Sequence, residues 1–174
     1  TAFNPTNRTP AFKTLLGQVM SKGDRMDYVI QKAVELGVSE IQLLTSERCE
    51  MRLKYDRDQK KIDHWQGIAI AACEQCGMNI VPTIHAPVSL DKWLASELLA
   101  TRLVLAPNKE KIDVLAHATP NITLLIGPEG GLSEAEITTA NEHGFINWCI
   151  GERVLRTETA PVVALSILNY NLVI

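Results

Sequence analysis

Long apolar runs are missing from this sequence, and no stretch reaches the roughly 20 residues that a membrane-spanning helix requires. No segment at its start has the pattern of a signal peptide. Only four cysteines occur in 174 residues, which is not the disulfide framework of a small secreted protein. These absences argue against a membrane partner and favour a reducing, cytoplasmic location.

Excess positive charge is also missing, because 17 Lys and Arg residues stand against 20 Asp and Glu residues, for a net charge of −3. A protein that holds nucleic acid by charge alone would carry a basic excess. Any RNA contact must therefore come from a local basic patch or from a domain outside this chain. Because the chain begins at Thr1 rather than Met, we expect a fragment whose natural N-terminus lies upstream.

The common nucleotide and metal motifs are absent as well. No Gly-Lys-Ser/Thr follows the glycine-rich segment Gly127–Gly131, and no G-x-G-x-x-G follows the first predicted strand. Cys73-x-x-Cys76 lies within a predicted helix and lacks a second Cys or His pair at ligand spacing. We interpret these cysteines as small buried thiols on a helix face and expect no metal site.

What the sequence does contain is an alternation of short apolar runs with amphipathic segments. Repeated β-α-β units of this kind predict one α/β domain, with a mainly parallel sheet flanked by helices. A weaker segment, Lys109–His117, has no clear assignment. The predicted strands are Leu15–Met20, Ile41–Thr45, Ile80–Ile84, Leu103–Ala106, Ile122–Ile126 and Phe145–Ile150. The predicted helices are Arg25–Leu36, one ending at Cys76, Leu90–Ala100, one from Ser133 to Gly144, and one starting near Pro161.

Three loops that follow predicted strands are candidate ligand sites, because parallel α/β sheets bind ligands at the carboxyl ends of their strands. They are Pro107–Lys109, the glycine loop (Gly127–Gly131) and the arginine loop (Gly151–Thr157). The glycine loop lets a ligand approach its backbone closely and precedes a capping box at Ser133 and Glu136. Taken by itself, this loop is explained equally well as a tight turn between a strand and a helix.

The side chains of these loops narrow the choice of ligand. Glu129 would repel a phosphate, so a cationic or zwitterionic ligand with an adenine bound by backbone groups fits better. In the arginine loop, Val154 and Leu155 are suited to line a pocket for a flat ring. The alternative is that this loop is exposed to solvent and its charged side chains pair with each other.

The pairing of Leu124–Ser133 with Ile150–Ala160 closely resembles the family of small-subunit ribosomal RNA uridine-N3 methyltransferases. This family belongs to the trefoil-knotted SPOUT methyltransferases. The similarity runs in order from about Leu15 to the C-terminus. Met78 departs from the pattern, which usually has an arginine there. The earlier segments that agree are Gln31–Val38, Ser46–Cys49 and Ala72–Gly77.

The resemblance implies a SPOUT methyltransferase domain over residues 14–174, a C-terminal trefoil knot and a homodimer. It also implies that residues 1–13 are a linker or the remnant of a missing N-terminal RNA-binding β domain. The implied reaction is methyl transfer from S-adenosylmethionine to N3 of one uridine in the 16S ribosomal RNA of the small subunit. A catalytically inactive RNA-binding or assembly module on the same fold is the alternative.

The resemblance places the cofactor pocket by position, and the charged side chains next to that pocket suggest catalytic roles. We hypothesise that Arg156 stabilises the uridine anion and that Glu158 accepts the N3 proton or orients Arg156. The alternative for Glu158 is a carboxylate favoured by a helix dipole alone. Lys22, Arg25 and Arg48 are candidate RNA contacts, because they lie near strand ends. The expected cofactor pocket comprises Leu105, Ala106, Ile126, Gly127, Pro128, Glu129, Gly130, Gly131, Ile150, Val154, Leu155, Arg156 and Thr157.

Overall fold

The computed structural model of the protein describes residues 6–51, 55–107 and 119–172, with the backbone alone at residues 55–58. Six strands and five helices occur in these ranges. The strands are β1 (Lys13–Val19), β2 (Glu40–Thr45), β3 (Thr83–Ser89), β4 (Thr101–Leu105), β5 (Asn121–Ile126) and β6 (Ile146–Trp148). The helices are α1 (Arg25–Glu35), α2 (Tyr55–Cys76), α3 (Leu90–Leu94), α4 (Glu134–Glu142) and α5 (Thr159–Leu172). Strands and helices alternate except that β5 is the next described element after β4.

The strands form one sheet in the order β3-β2-β1-β5-β4-β6, and every neighbouring pair is parallel. This confirms the α/β fold with a parallel sheet flanked by helices. Strand β1 is central, because it pairs with β2 on one side and with β5 on the other. The carboxyl ends of β1, β4, β5 and β6 therefore point to the same edge of the sheet.

Helices cover both faces of the sheet, so its central strands are mostly apolar. In β5, Leu124 packs into the core shared with α1, α2 and α5. Its neighbour Leu125 packs into the opposite core, against α3 and α4. The alternation along one strand thus supplies two hydrophobic layers.

A close contact fixes α3 on the sheet. A Cβ atom added to Gly17, in the middle of β1, would lie 2.3 Å from the Trp93 ring of α3. Trp93 is 4% exposed and its ring centroid lies 5.9 Å from that of Phe145. Glycine at position 17 therefore makes room for the indole against the sheet.

Two predicted boundaries are wrong. Helix α3 ends at Leu94 rather than near residue 100, and the guanidinium of Arg102 instead donates to the carbonyl oxygens of Leu98 and Leu99. The strand predicted at Ile80–Ile84 runs from Thr83 to Ser89, and Ile80 is 62% exposed. Pro82 precedes the observed strand and could not donate to a sheet ladder. The weaker segment 109–117 lies outside the described residues.

The folded region begins slightly before residue 14. Phe12 is 4% exposed, and Lys13 is the first residue of β1. The backbone amide of Arg8 donates to Asn79 Oδ1 at 3.0 Å. Part of the segment predicted as a linker thus packs against the domain. Helix α5 begins at Thr159, so Pro161 lies in its first turn, where a proline is tolerated.

Candidate cofactor site

A cavity of about 390 Å³ opens at the carboxyl ends of β4, β5 and β6. The glycine loop and the arginine loop form much of its wall, together with the end of β4. Its lining residues are Arg48, Leu105, Ala106, Pro107, Ile126, Gly127, Pro128, Glu129, Gly130, Gly131, Leu132, Glu134, Ile137, Trp148, Ile150, Gly151, Arg153, Val154, Leu155, Thr157 and Ala160.

The glycine loop is held tightly at both ends. A Cβ atom on Gly127 would lie 3.0 Å from the Leu132 side chain, and Gly131 has a φ of 69°, a conformation that favours glycine. After it, Ser133 Oγ accepts from the Glu136 amide at 3.2 Å and Glu136 Oε2 accepts from the Ser133 amide at 2.8 Å. The predicted capping box is therefore confirmed, and it fixes the loop against α4.

A buried hydroxyl joins the two loops to the central strand. Thr157 Oγ1 donates to the carbonyl oxygen of Gly127 at 2.7 Å and accepts from Gln18 Nε2 at 3.2 Å. Gln18 is fully buried in β1 and Thr157 is 5% exposed. Sequence reasoning missed Gln18; its one available signal is a polar side chain within the otherwise apolar run of β1.

Arg25, the first residue of α1, lies between two carboxylates of the site. Its Nη1 is 2.7 Å from Glu129 Oε1, and its Nε is 3.8 Å from Glu158 Oε2. Glu129 Oε1 also accepts from the backbone amide of Lys22 at 3.3 Å. Glu158 Oε2 is buried and accepts no hydrogen bond from the part of the chain that the structure describes.

Arg48 and Lys22, two of the predicted RNA contacts, have different surroundings. Arg48 Nη1 donates to the carbonyl oxygen of Gly130 at 3.0 Å, and its side chain lines the cavity. Lys22 Nζ pairs with Glu50 at 2.7 Å on the open surface. That hydrogen-bonded pair raises the pKa of Lys22 and lowers the pKa of Glu50.

Of the residues predicted for the cofactor pocket, all except Arg156 line the cavity. The side chain of Arg156 is exposed, and its carbonyl oxygen accepts from the amides of Thr159 and Ala160 at the start of α5. Asn108 and Lys109, from the first candidate loop, lie outside the described residues. The lining residues not assigned individually to the pocket are Pro107, Leu132, Glu134, Ile137, Trp148, Gly151, Arg153 and Ala160.

These omissions have two causes. Pro107, Leu132 and Gly151 adjoin or belong to the named loops, so proximity in sequence was an available signal. Ile137 lies within α4, and Trp148 is the last residue of β6 although the predicted strand continued to Ile150, so neither was expected at the cavity.

Other features of the sequence lie away from this cavity. Cys73 and Cys76 are on α2, as predicted, and burial raises the pKa of the Cys73 thiol. Over residues 6–51, 55–107 and 119–172, no group of three His, Cys, Asp or Glu side chains is arranged to hold a metal ion. Within the same ranges, no helix combines the length and apolar character needed to cross a membrane.

Known proteins resemble this chain over nearly all its length. The model of the RNA methyltransferase domain family matches residues 7–169. Ribosomal RNA small subunit methyltransferase E of Buchnera aphidicola (strain Sg) is 41% identical over 88% of this chain and 63% of its own length. The protein of that name from Bacillus subtilis is 30% identical over 94% of this chain and 68% of its own length. The chain thus spans under two thirds of the Buchnera relative.

Solved structures of methyltransferases also resemble this chain. A protein from Legionella pneumophila, described as a methyltransferase in complex with its bound cofactor SAM, is 42% identical, with a TM-score of 0.90 over 94% of this chain and 68% of that one. Ribosomal RNA small subunit methyltransferase E from Neisseria gonorrhoeae, bound to S-adenosyl methionine, is 37% identical, with a TM-score of 0.88 over 96% of this chain and 69% of that one.

Proposed function

Because this chain belongs to the RNA methyltransferase family, we propose that it is the catalytic domain of an S-adenosylmethionine-dependent enzyme that methylates N3 of one uridine in 16S ribosomal RNA. The cavity at the ends of β4, β5 and β6 carries this proposal. Relatives at 42% and 37% identity are described as bound to this cofactor. The small ribosomal subunit or its RNA is the proposed substrate.

The cavity suits S-adenosylmethionine in size and in chemistry. Its volume falls within the range of roughly 300–1,000 Å³ that is usual for small-molecule sites. Apolar side chains, among them Leu105 and Leu155, suit the adenine ring, and the compact glycine loop allows close approach of its backbone. Side chains of both signs, Arg48 and Glu129 among them, suit a ligand with an ammonium, a carboxylate and a sulfonium group.

The reaction itself requires a proton acceptor and a stabilised anion. When bound, S-adenosylmethionine supplies an electrophilic methyl group. Uridine N3 carries a proton at neutral pH and is a good nucleophile only without it. Glu158 Oε2, buried and free of hydrogen bonds within the described residues, is the proposed acceptor of that proton. The exposed guanidinium of Arg156, two residues away, is proposed to stabilise the negative charge on uridine O2 or O4.

One expected role changes with these contacts. Glu158 was a candidate to orient Arg156, but its cationic neighbour is Arg25 Nε, 3.8 Å away. Glu158 therefore keeps the role of proton acceptor in the proposal. Its position directly before α5 also places its charge favourably toward the helix N-terminus.

The proposal includes a C-terminal trefoil knot and a homodimer, which the family resemblance implies. It also includes a cytoplasmic location, expected from the few cysteines, and RNA contacts by Lys22 and Arg48, expected from their positions near strand ends. A long-range contact supports a C-terminal segment that returns to the first helix: Asn169 Nδ2 donates to the carbonyl oxygen of Leu36 at 2.7 Å. The segment that precedes Phe12 is the proposed linker to, or remnant of, an N-terminal RNA-binding β domain.

Two measurements test the proposed function. Calorimetry with S-adenosylmethionine should show saturable binding to this chain, and methylation of purified small subunits should map to uridine N3 by mass spectrometry. Glu158→Gln should lower kcat by about 10²- to 10⁴-fold, the usual contribution of a placed base, without weakening cofactor binding. An inactive assembly module would bind no cofactor and transfer no methyl group, which would overturn the proposal.

A further inference from the structure

We infer that Arg25 is a positioning residue that links the cofactor side of the site to its proton acceptor. Its guanidinium joins Glu129, a residue of the glycine loop that lines the cavity, to Glu158, which directly follows the arginine loop. The inference rests on the proposed function, because that function gives the two carboxylates their roles. It assigns Arg25 a task different from the RNA contact expected from sequence.

The shape of the guanidinium fits this task. Its nitrogens are fixed in one plane, so Nη1 can contact Glu129 at 2.7 Å while Nε faces Glu158 at 3.8 Å. A lysine ammonium at the same position is a single point charge. It could approach one carboxylate but would not hold both at a set separation.

The burial of Glu158 explains why this cation is needed. Its side chain is 18% exposed, and Oε2 receives no hydrogen bond from the described residues. A carboxylate with little access to water is costly to keep ionised without a nearby opposite charge. Arg25 supplies that charge from 3.8 Å, without donating a close hydrogen bond to Oε2.

The charges around Arg25 make it a poor phosphate contact. Glu129 and Glu158 outnumber its single positive charge, and Glu50 adds a further carboxylate near Lys22. A phosphate that approached Arg25 would meet these carboxylates and would have to displace a 2.7 Å ion pair. Lys22, exposed and paired only at the surface with Glu50, is the more accessible cation for RNA.

Arg25 is therefore expected to act on the rate of methyl transfer rather than on capture of RNA. With Arg25 present, the distance between the Glu129 and Glu158 carboxylates is set before RNA binds. Without it, the two carboxylate side chains lose their common cationic partner and can change conformation separately, although Thr157 and Gly127 still join the two loops. Misplacement of a reacting group by about 1 Å can cost on the order of 100-fold in rate.

The test compares the Arg25→Met and Arg25→Lys variants of the protein. Methylation of small subunits gives kcat and the KM for RNA at several salt concentrations, and calorimetry gives the affinity for S-adenosylmethionine. Thermal unfolding checks that each variant folds. Lys22→Met represents loss of a phosphate contact, and Lys92→Met, on the exposed surface of α3, controls for loss of one positive charge.

Arg25→Met should lower kcat by about 10- to 100-fold at an unchanged KM for RNA and an unchanged salt dependence, with partial recovery in Arg25→Lys. A phosphate contact would instead leave kcat unchanged and raise the KM for RNA. It would also reduce the slope of log affinity for RNA against log salt concentration by about one, and this set of results would overturn the inference. If Arg25→Met does not fold, Arg25→Lys provides the test. A kcat of Arg25→Lys equal to that of the wild type would also overturn the inference. If the wild-type protein neither binds the cofactor nor methylates RNA, the proposed function itself fails.

Discussion

The hydroxyl of Thr157 is hydrogen-bonded to Gly127, so the arginine loop and the glycine loop share one buried contact. The donor–acceptor distance is 2.7 Å, and the same hydroxyl accepts from Gln18 Nε2 at 3.2 Å. Three segments that are far apart in sequence therefore meet at one oxygen atom. The wall of the cavity depends on this junction, because Gly127 and Thr157 both line it.

Thr157→Val should weaken both the fold and the cofactor site. The substitution nearly conserves volume but removes the hydroxyl, which leaves Gln18 Nε2 and the Gly127 carbonyl without this partner. Loss of such buried hydrogen bonds typically costs about 1–3 kcal/mol. Urea unfolding and calorimetry with S-adenosylmethionine would measure the two effects. Thr157→Ser is the control, since it keeps the hydroxyl; equal affinities for the two variants would show that the hydroxyl has no role.

Gly17→Ala should destabilise the protein through overpacking. The added Cβ would lie 2.3 Å from Trp93, so the indole or the strand must shift. Overpacking of this kind costs typically about 1–3 kcal/mol. Gly67→Ala is the matched control, because no atom lies within 4 Å of a Cβ at that position of α2. In urea unfolding the control should gain about 0.5–1 kcal/mol, as expected for a helix interior; a stable Gly17→Ala variant would contradict the packing argument.

Arg48→Met should weaken binding of S-adenosylmethionine more than binding of methylthioadenosine. Arg48 lines the cavity and donates to the carbonyl oxygen of Gly130, and we propose that its guanidinium binds the carboxylate of the ligand. Methylthioadenosine lacks that carboxylate. Loss of a charged hydrogen bond, about 1.5–3 kcal/mol, corresponds to roughly 10- to 100-fold in affinity. Calorimetry with both ligands measures the difference; an equal loss for both would mean that Arg48 only supports the loop.

Cys73 should react with iodoacetamide more slowly than Cys149. Burial raises the pKa of the Cys73 thiol, so a smaller fraction is thiolate at any pH below that pKa. Cys149 is only partly buried. Mass spectrometry of the alkylated protein at pH 8 would give both rates. Faster labelling of Cys73 in the folded protein would show that α2 opens readily, and labelling in urea gives the reference rate for each thiol.

The sequence predicted elements whose pattern is local. The apolar run of β5 and the capping box at Ser133 and Glu136 were recognisable from adjacent residues, and the structure contains both. The predicted α3 was too long because Leu98 and Leu99 suit a helix locally. The backbone amide of Leu99 donates to Thr123 Oγ1 at 3.0 Å, a tertiary contact that helix propensity does not report.

The arrangement of side chains in the site was harder to predict from the sequence. Arg25 and Glu129 are 104 positions apart, and no periodicity links them. The same holds for Gln18 and Thr157. Gln18 lies beside Ile126 of β5, and the arginine loop brings Thr157 to the adjoining Gly127. The loops of the cavity could be predicted from glycine and arginine patterns, but the pairing of their side chains depends on strand order.

The contact between Gln18 and Thr157 also has a consequence for biosynthesis. These residues are separated by 139 positions, so the amide of Gln18 has no hydroxyl partner while β1 to β6 are being translated. A nascent chain that has folded its sheet would still lack one wall of the cavity. Ligand binding should therefore be among the last properties the polypeptide acquires, and a chain cut by a protease within the arginine loop should lose it while much of the sheet persists.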